Sequence, residues 1–247
     1  MLDLLNNSWL SAITLNTVLI AIALILPKKL LTFWGYINAW ILGIIIWGTL
    51  GWQGYTVVIF YFLVGSGVTK IGIAEKEAAG IAEKRSGVRG PENVWGSALT
   101  ATICALATLV APPMLKSLLV LGYVASFATK LSDTSASEVG KAYGKSTFLI
   151  TTLKPVPRGT EGAISLEGTV AGIIASIAIA LVAYFIGQID LLGLGLCVTA
   201  AFIATNFESL IGATLQENTP WLTNEVVNFI NTTIGAIAAM LLAVFLS

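Results

Sequence analysis

Histidine is absent from the 247-residue sequence. This absence excludes zinc sites built on histidine, Ser-His and Cys-His nucleophile pairs, and proton relays that use imidazole. Only two cysteines are present, Cys104 and Cys197, and both lie within apolar runs. We therefore expect them to be small packing residues and not a disulfide or a metal pair.

Charged side chains are also scarce. They make up 11% of the sequence, against 56% hydrophobic residues, and the formal net charge is zero. A soluble domain usually has about a quarter charged residues, so this chain has too few to cover a soluble globule of its size. A bilayer removes that requirement, because the outer surface then faces hydrocarbon. The sequence predicts a single integral-membrane domain over 1–247.

Long apolar runs predict the membrane-spanning helices. Six runs reach roughly 18 residues, the length that spans a bilayer, and two are shorter and border polar sequence. The longer runs are 9–26, 34–52, 55–72, 94–111, 165–187 and 226–246, and the shorter runs are 117–129 and 191–207. Each shorter run must either remain short or continue into a polar helix that leaves the membrane. The predicted fold is an all-α, polytopic bundle of about eight transmembrane helices.

The basic residues predict the orientation of this bundle. All 13 lie between Lys28 and Arg158, and with eight helices every one except Lys116 falls on the same side of the membrane. The positive-inside rule makes that side cytoplasmic, or its equivalent in an organelle, and places the N- and C-termini on the outer side. Three polar segments then face one another on the inner side: 70–93, 130–164 and 208–225.

The richest polar stretch begins at the second of these segments. A helix over 131–144 places Asp133, Ser137, Lys141 and Gly144 on one face. A carboxylate, a hydroxyl and a cation one turn apart suit an Mg²⁺–phosphate group, because Mg²⁺ takes one or two carboxylates and completes its shell with phosphate oxygens and water. Together with Gly140, Gly144 leaves a bare stripe that suits a ligand or, alternatively, a packed helix.

A loop at 154–162, with two prolines and two glycines, follows this helix. It supplies two more cations, Lys154 and Arg158, and a carboxylate, Glu161. Further candidates there, which could offer backbone N–H or hydroxyl groups to phosphate oxygens, are Gly159, Thr160 and Gly162.

Two other groups of charged residues have both a functional and a structural interpretation. Glu167 lies near the start of a membrane helix, where an ionisable group is a functional candidate, although it could simply interact with the helix N-terminus. Arg85 and Arg89 lie among glycines in 76–97. They could reach a nucleotide or lipid phosphate, or could anchor the inner face to anionic headgroups.

Three signatures are absent. The sequence has no Walker A pattern and no kinase catalytic-loop motif, which excludes a P-loop enzyme and a protein-kinase site. No membrane helix carries several charges in series, as an ion or proton relay would require.

The stretches TKLSDTSASEVGKAYGKSTFLITTLKPVPRGTEGAISLEGTVAG (129–172) and GIAEKRSGVRGPENVWGS (80–97) resemble a known family. It is the membrane-protein family that contains the plant chloroplast phytyl-phosphate kinase of vitamin E synthesis, and the resemblance covers most of the chain. The order Asp133, Gly140-Lys141, Lys154-Pro155, Glu161-Gly162 is similar, more distantly, to CTP-dependent dolichol and phytol kinases and to CDP-diacylglycerol synthases. Those synthases have closely paired aspartates, whereas Asp133 is the only aspartate in this region.

The resemblance implies a reaction and a set of roles. A nucleoside triphosphate, by analogy CTP, would phosphorylate a prenyl monophosphate such as phytyl phosphate and give the diphosphate. An ionised phosphate monoester is already a nucleophile, so a strong general base is not required. The implied catalytic residues are Asp133, Lys141, Lys154 and Glu161. The implied Mg²⁺ ligands are Asp133 with Glu161 or Glu167. The implied phosphate and nucleotide contacts are Lys145 and Arg158, the small residues Ser137, Gly140, Gly144, Gly159, Thr160 and Gly162, and Arg85 and Arg89.

The expected partners are the lipid substrate, the nucleotide and membrane lipids, with no nucleic acid; an oligomer is compatible with the sequence. The expected location is an inner membrane, or a thylakoid or plastid membrane in a photosynthetic host. Four alternatives stay open: a nucleotidyltransferase that makes a CDP-lipid, a polyprenol kinase, a transporter or flippase of a phosphorylated lipid, and a non-catalytic scaffold. The transporter is the weaker alternative because the charges lie in inner segments and not along a pathway at the membrane midplane.

Overall fold

The computed structural model describes residues 7–27, 29–216 and 219–246, and that part of the chain is mainly helical. Lys28 and two residues of the segment 208–225, at 217–218, lie outside it. The helices are α1 (Ser8–Ile25), α2 (Phe33–Thr69), α3 (Ile73–Ala78), α4 (Pro91–Ala107), α5 (Pro113–Tyr143), α6 (Leu166–Phe185), α7 (Leu191–Ile211) and α8 (Asn224–Leu246). Two short strands, β1 (Thr147–Leu149) and β2 (Ala163–Ser165), pair antiparallel.

Six of these helices, all except α3 and α4, are long and apolar enough to cross a membrane. Side chains at their ends fix where they begin: Ser165 Oγ accepts the N–H of Gly168 at the start of α6, and Asp190 Oδ1 accepts the N–H of Gly193 at the start of α7. The prediction of an all-α, polytopic membrane bundle is therefore confirmed.

The 37-residue helix α2 is a hairpin of two antiparallel arms. Its chain turns at Gly51, whose φ of 65° and ψ of −160° lie outside the helical region. The ring centroids of Trp47 and Tyr55 lie 5.2 Å apart. Eight residues of straight helix would separate them by about 12 Å along the axis, so the chain must reverse between them. The two arms, 33–50 and 52–69, correspond to the predicted runs 34–52 and 55–72.

Both ends of this hairpin meet the same loop. A Cβ atom built on Gly35, in the first arm, would lie 2.6 Å from the carbonyl oxygen of Arg89. A Cβ atom built on Gly65, in the second arm, would lie 3.0 Å from Nη2 of the same arginine. The backbone N–H of Thr32 also donates to the Arg89 carbonyl, at 3.0 Å. The start and the end of α2 therefore lie at one end of the bundle, together with the loop at 84–90.

Helix α5 is the centre of the bundle. It packs against α2, α4, α6, α7 and α8, and every residue from Leu121 to Ser135 is buried. The predicted short apolar run 117–129 continues without a break into the polar helix that ends at Tyr143, which is one of the two outcomes expected for it. Likewise, 191–207 extends through α7 into a π-helical turn, Gly212–Gln216.

Glycine allows the close contact between α5 and its neighbours. A Cβ atom on Gly235 of α8 would overlap the side chain of Thr129 on α5. A Cβ atom on Gly172 of α6 would lie 3.0 Å from the carbonyl oxygen of Ser132. These contacts place the backbones of α6 and α8 directly against the polar half of α5.

Candidate active site

A cavity of about 230 Å³ opens at the end of the bundle where α2 begins and ends. Its wall is formed by residues from all three of the segments 70–93, 130–164 and 208–225, and by the adjoining turns of α2, α5, α6, α7 and α8. In the sequence, these segments were predicted to face one another only because successive helices alternate in direction and so leave all three on the same side. The structure brings them together around one cavity.

Asp133 lies at the buried side of this cavity, held by an ion pair. The Lys130 ammonium donates to Asp133 Oδ2 at 2.6 Å and to Asn228 Oδ1 on α8 at 2.7 Å. Asp133 and Lys130 are 6% and 8% exposed. The lysine engages only Oδ2 of Asp133, so Oδ1 has no ion-pair partner among the residues that the structure describes.

Glu208 adds a second carboxylate next to the first. It lies on the last turns of α7, lines the cavity, and interacts electrostatically with Asp133, Lys130 and Glu161. Neighbouring contacts join the two helices that carry the carboxylates, since Thr205 Oγ1 on α7 donates to Ser132 Oγ on α5 at 3.3 Å. Two carboxylates from different helices thus converge around one lysine.

Lys141 belongs to a second network, two turns further along α5. Its Nζ lies 3.7 Å from Glu138 Oε1 and 3.6 Å from Glu83 Oε1. The other oxygen of Glu138 pairs with Lys76 of α3, and both side chains of that pair are 1% exposed or less. Both contacts of Lys141 are longer than a hydrogen bond, so this cation can turn toward an anion in the cavity without breaking one.

The two arginines of the loop at 84–90 are held in different ways. Arg89 Nη1 donates to Tyr61 Oη at 3.1 Å, and its guanidinium carbon lies 5.4 Å from the centroid of that ring. Arg85 pairs with Glu92 and donates to Asn93 Oδ1 at 2.9 Å. The hydrogen bond from Arg85 lowers the pKa of the Glu92 carboxyl. Among the residues that the structure describes, Arg89 therefore has no acidic partner at the cavity wall, unlike Arg85.

The loop between β1 and β2 closes another side of the cavity. Its backbone takes left-handed conformations at Gly159 and Gly162, with φ of 84° and 74°. A Cβ atom on Gly159 would lie 2.6 Å from Ile81 Cγ2, and one on Gly162 would lie 2.5 Å from the carbonyl oxygen of Ser209. Glycine at these positions lets the loop touch both the 70–93 segment and α7.

Ten of the residues predicted for the site line this cavity: Arg85, Arg89, Asp133, Ser137, Gly140, Lys141, Gly159, Thr160, Glu161 and Gly162. Five do not line it: Gly144, Lys145, Lys154, Arg158 and Glu167. Lys145 and Lys154 are exposed. Arg158 donates to the carbonyl oxygen of Ala142 at 2.9 Å and so ties the loop to the end of α5.

The sequence prediction missed Lys130, Glu208 and Asn228 as site residues. Lys130 and Glu208 carried a usable signal, because each follows directly on an apolar helical run, where an ionisable group is a functional candidate. Asn228 carried none, since its role depends on a hydrogen bond to Lys130, which is 98 positions away.

The donor set fits a magnesium ion shared with a ligand. Within the residues that the structure describes, no three acidic or cysteine side chains converge as a metal site, so Asp133, Glu161 and Glu167 are not one cluster. Mg²⁺ does not need such a cluster, because one or two carboxylates plus phosphate oxygens and water complete its shell. Asp133 and Glu208 meet that requirement.

Comparison with known proteins places the chain in a family. Residues 16–236 match the family described as Integral membrane protein DUF92. The chain belongs to this family. Within it, the chain is 67% identical over 232 residues to an uncharacterised membrane protein of Synechocystis sp., covering 94% of this chain and 90% of the relative. No solved structure matches the chain.

Two further relatives come from other organisms. Protein VTE6, chloroplastic, of Arabidopsis thaliana is 45% identical over 245 residues, covering 98% of this chain and 74% of the plant protein. An uncharacterised membrane protein of Methanocaldococcus jannaschii is 32% identical over 228 residues, covering 91% of each chain. The predicted family resemblance is confirmed.

Proposed function

We propose that this DUF92 protein is a kinase of prenyl monophosphates, which transfers the γ-phosphoryl group of a nucleoside triphosphate to a lipid phosphate such as phytyl phosphate. The likeness to VTE6 supports a prenyl-phosphate kinase role in the family. The observation that carries the proposal is the cavity itself, which combines two carboxylates, Asp133 and Glu208, with the cations Lys141 and Arg89 at the end of a membrane bundle.

The proposed reaction needs little covalent help from the protein. An oxygen of the prenyl phosphate attacks the γ-phosphorus, the bond between that phosphorus and the β-bridging oxygen breaks, and a nucleoside diphosphate leaves. Asp133 and Glu208 would hold Mg²⁺, which supplies charge neutralisation for the polyphosphate. Lys141 and Arg89 would bind phosphate oxygens and orient them.

Three finer features belong to the same proposal. CTP is the proposed donor, by analogy with the more distant kinases. The cavity is proposed to face the cytoplasm or stroma, with both termini on the opposite side, because ten of the twelve described basic residues lie in the segments 70–93 and 130–164 that contribute to its wall. The host membrane is proposed to be an inner, thylakoid or plastid membrane.

One structural observation favours nucleotidyl transfer as a second candidate. The sequence showed a single aspartate where CDP-diacylglycerol synthases have a pair, but Glu208 supplies a second carboxylate beside Asp133 from another helix. A CDP-lipid product therefore has to be tested directly.

The test is a product assay on protein purified in detergent. Phytyl or geranylgeranyl monophosphate and Mg²⁺ are supplied with each nucleoside triphosphate, labelled in turn at the γ- and the α-phosphorus. Label from the γ-position in a prenyl diphosphate supports the kinase, whereas label from the α-position in the lipid product supports nucleotidyl transfer. Lipid phosphate binding without label transfer from any donor would favour a transporter and would refute the kinase.

Two variants and one matched control locate the chemistry. We expect Asp133→Asn and Glu208→Gln each to lower kcat by about 10²–10³, the range for losing one electrostatic contact to the transition state. Asp190→Asn makes the same change from carboxylate to amide at the opposite end of α7. It keeps the N-cap of that helix, because asparagine caps as well as aspartate does. Its activity should equal that of the unmodified protein.

A further inference from the structure

The cavity wall changes from polar to apolar along α6 and α7. On α6, Thr169 and Ile173 both line the cavity, one turn apart, and on α7 Asn206 and Phe202 do the same. Ile173 lies about 10 Å along the axis from the start of α6, and Phe202 lies about 13 Å from the end of α7. The two apolar residues are therefore at a similar depth, further into the bundle than the polar pair.

At this depth the cavity wall lies next to exposed apolar side chains. Phe202 lines the cavity and is also 45% exposed. On α6, the neighbours of Ile173 are apolar residues that face outward, since Val170 and Ile174 are 45% and 61% exposed. Ile173 and Phe202 therefore form the part of the cavity wall that lies next to the exposed apolar side chains of α6 and α7.

Glycine lets α6 pack closely on α5 along this part of the cavity. Gly168 and Gly172 of α6 lie against α5, where Cβ atoms would meet the carbonyl oxygens of Ala136 and Ser132 at 2.5 and 3.0 Å. Both glycines line the cavity. Because neither has a side chain, the α6 backbone lies directly against α5, and the cavity wall follows it from Gly168 to Ile173.

We propose that the prenyl chain of the substrate passes out of the cavity between α6 and α7, beside Ile173 and Phe202, while its phosphate lies at Asp133 and Glu208. This inference rests on the proposed function, which supplies the lipid phosphate. The substrate then enters sideways from the bilayer, head first, and its tail remains among lipid chains. The polar part of the passage suits the phosphate of such a lipid, and the apolar part suits its prenyl chain.

A second groove offers a competing exit. It lies between α4 and α8, has a volume of about 280 Å³, and is lined mainly by apolar side chains that include Trp95, Leu99 and Phe229. Glu225 lines both this groove and the polar cavity. The passage at Phe202 is favoured because it is part of the polar cavity itself, without a glutamate at the boundary.

Cysteine protection distinguishes the two exits without relying on catalysis. The two native cysteines are buried, so an introduced thiol is the one that a maleimide reaches readily. We expect geranylgeranyl monophosphate, at about ten times its Kd, to slow the labelling of Ile173→Cys and Phe202→Cys by about tenfold, since bound protein is protected in proportion to occupancy. Phe207→Cys on the outer face of α7 is the matched control and should be unaffected.

A shorter ligand tests whether the tail is what protects. Isopentenyl monophosphate has the same headgroup but a much shorter chain, and should leave the labelling at both positions unchanged. Slower labelling of Leu99→Cys, and not of the α6–α7 pair, would overturn the proposal in favour of the α4–α8 groove. Absence of protection at all three positions, under conditions where the lipid phosphate binds, would overturn it outright.

Chain-length selectivity gives a second readout. Ile173→Trp narrows the passage, and we expect it to lower the ratio of kcat/KM for geranylgeranyl to isopentenyl monophosphate by about tenfold, in the range for crowding an apolar pocket. Ile177→Trp, on the same helix and outside the cavity lining, is the control and should leave the ratio unchanged. Protection without any diphosphate product would refute the kinase but keep the passage, whereas product formation without protection would refute the passage alone.

Discussion

The buried ion pair between Lys76 and Glu138 is expected to be a major contributor to the stability of the inner end of the bundle. Lys76 lies on the six-residue helix α3 and is 1% exposed, as is Glu138 on α5. Lys76 Nζ also donates to the carbonyl oxygen of Thr69 at 2.9 Å. This pair therefore fastens the 70–93 segment to the central helix and closes one side of the cavity.

The variant Lys76→Met removes the cation and leaves the carboxylate buried. Breaking one partner of a buried pair costs about 3–5 kcal/mol, because the remaining charge is desolvated without compensation. Lys141, 3.7 Å from Glu138 Oε1, offers a weaker partner, so we expect a loss near the lower limit. A loss of about 1 kcal/mol lowers Tm by about 2–4 °C in a chain of this size, so Tm should fall by about 6–12 °C.

Thermal unfolding of the purified protein in detergent measures this change. Lys70→Met is the matched control, because Lys70 is an exposed lysine at the end of α2 and should change stability by no more than about 0.5 kcal/mol. The double variant Lys76→Met with Glu138→Leu removes both charges and should recover most of the loss. Equal Tm values for Lys76→Met and Lys70→Met, or additive losses in the double variant, would refute the reasoning.

Three further predictions concern other contacts. Gly235→Ala should destabilise the protein by about 1–3 kcal/mol in thermal unfolding, because its methyl group overlaps the side chain of Thr129, and Gly235→Ala with Thr129→Ala should be less destabilised. Arg85→Ala should lower Tm slightly at neutral pH. Because Arg85 lowers the pKa of Glu92, the Tm difference between this variant and the unmodified protein should be fully present above the ordinary pKa of glutamate and lost as the pH falls through the lowered pKa. A Tm difference that persists below the lowered pKa would contradict this prediction. Asn231→Leu should leave Tm unchanged or raise it, because both polar side-chain atoms of this buried residue lack a hydrogen-bond partner within the described part of the chain, and a clear fall in Tm would contradict this.

Hydropathy predicted the helices well because each helix that spans a bilayer must be a long apolar run. Each apolar run corresponds to a helix or to one arm of α2, although the turn at Gly51 falls just inside the end of the predicted run 34–52. The continuous helix over α5 was only one of two expected outcomes. Hydropathy did not decide between them, because the polar half of α5 is covered by other helices and not by lipid.

The site was harder to predict because pairing between helices does not appear in the order of residues. Lys130 pairs with Asp133 on its own helix, but its second partner, Asn228, comes from α8. The cations Lys145 and Lys154 stand close to the Asp133 helix in sequence, yet both are exposed and neither lines the cavity. Proximity along the chain was therefore a poor guide to proximity in the cavity.

The central position of α5 has a consequence for how the protein is made. It is the least apolar of the six helices long enough to span the membrane, and it carries Lys130, Asp133 and Glu138 in its second half. During synthesis it reaches the membrane before α6, α7 and α8, the three helices that later cover most of its surface. Until they arrive, its charges must be shielded by the helices already inserted or by the insertion machinery. The helices from Leu166 onward thus cover a helix that was synthesised earlier, so a protein truncated after α5 should be retained by quality control and not accumulate in the membrane.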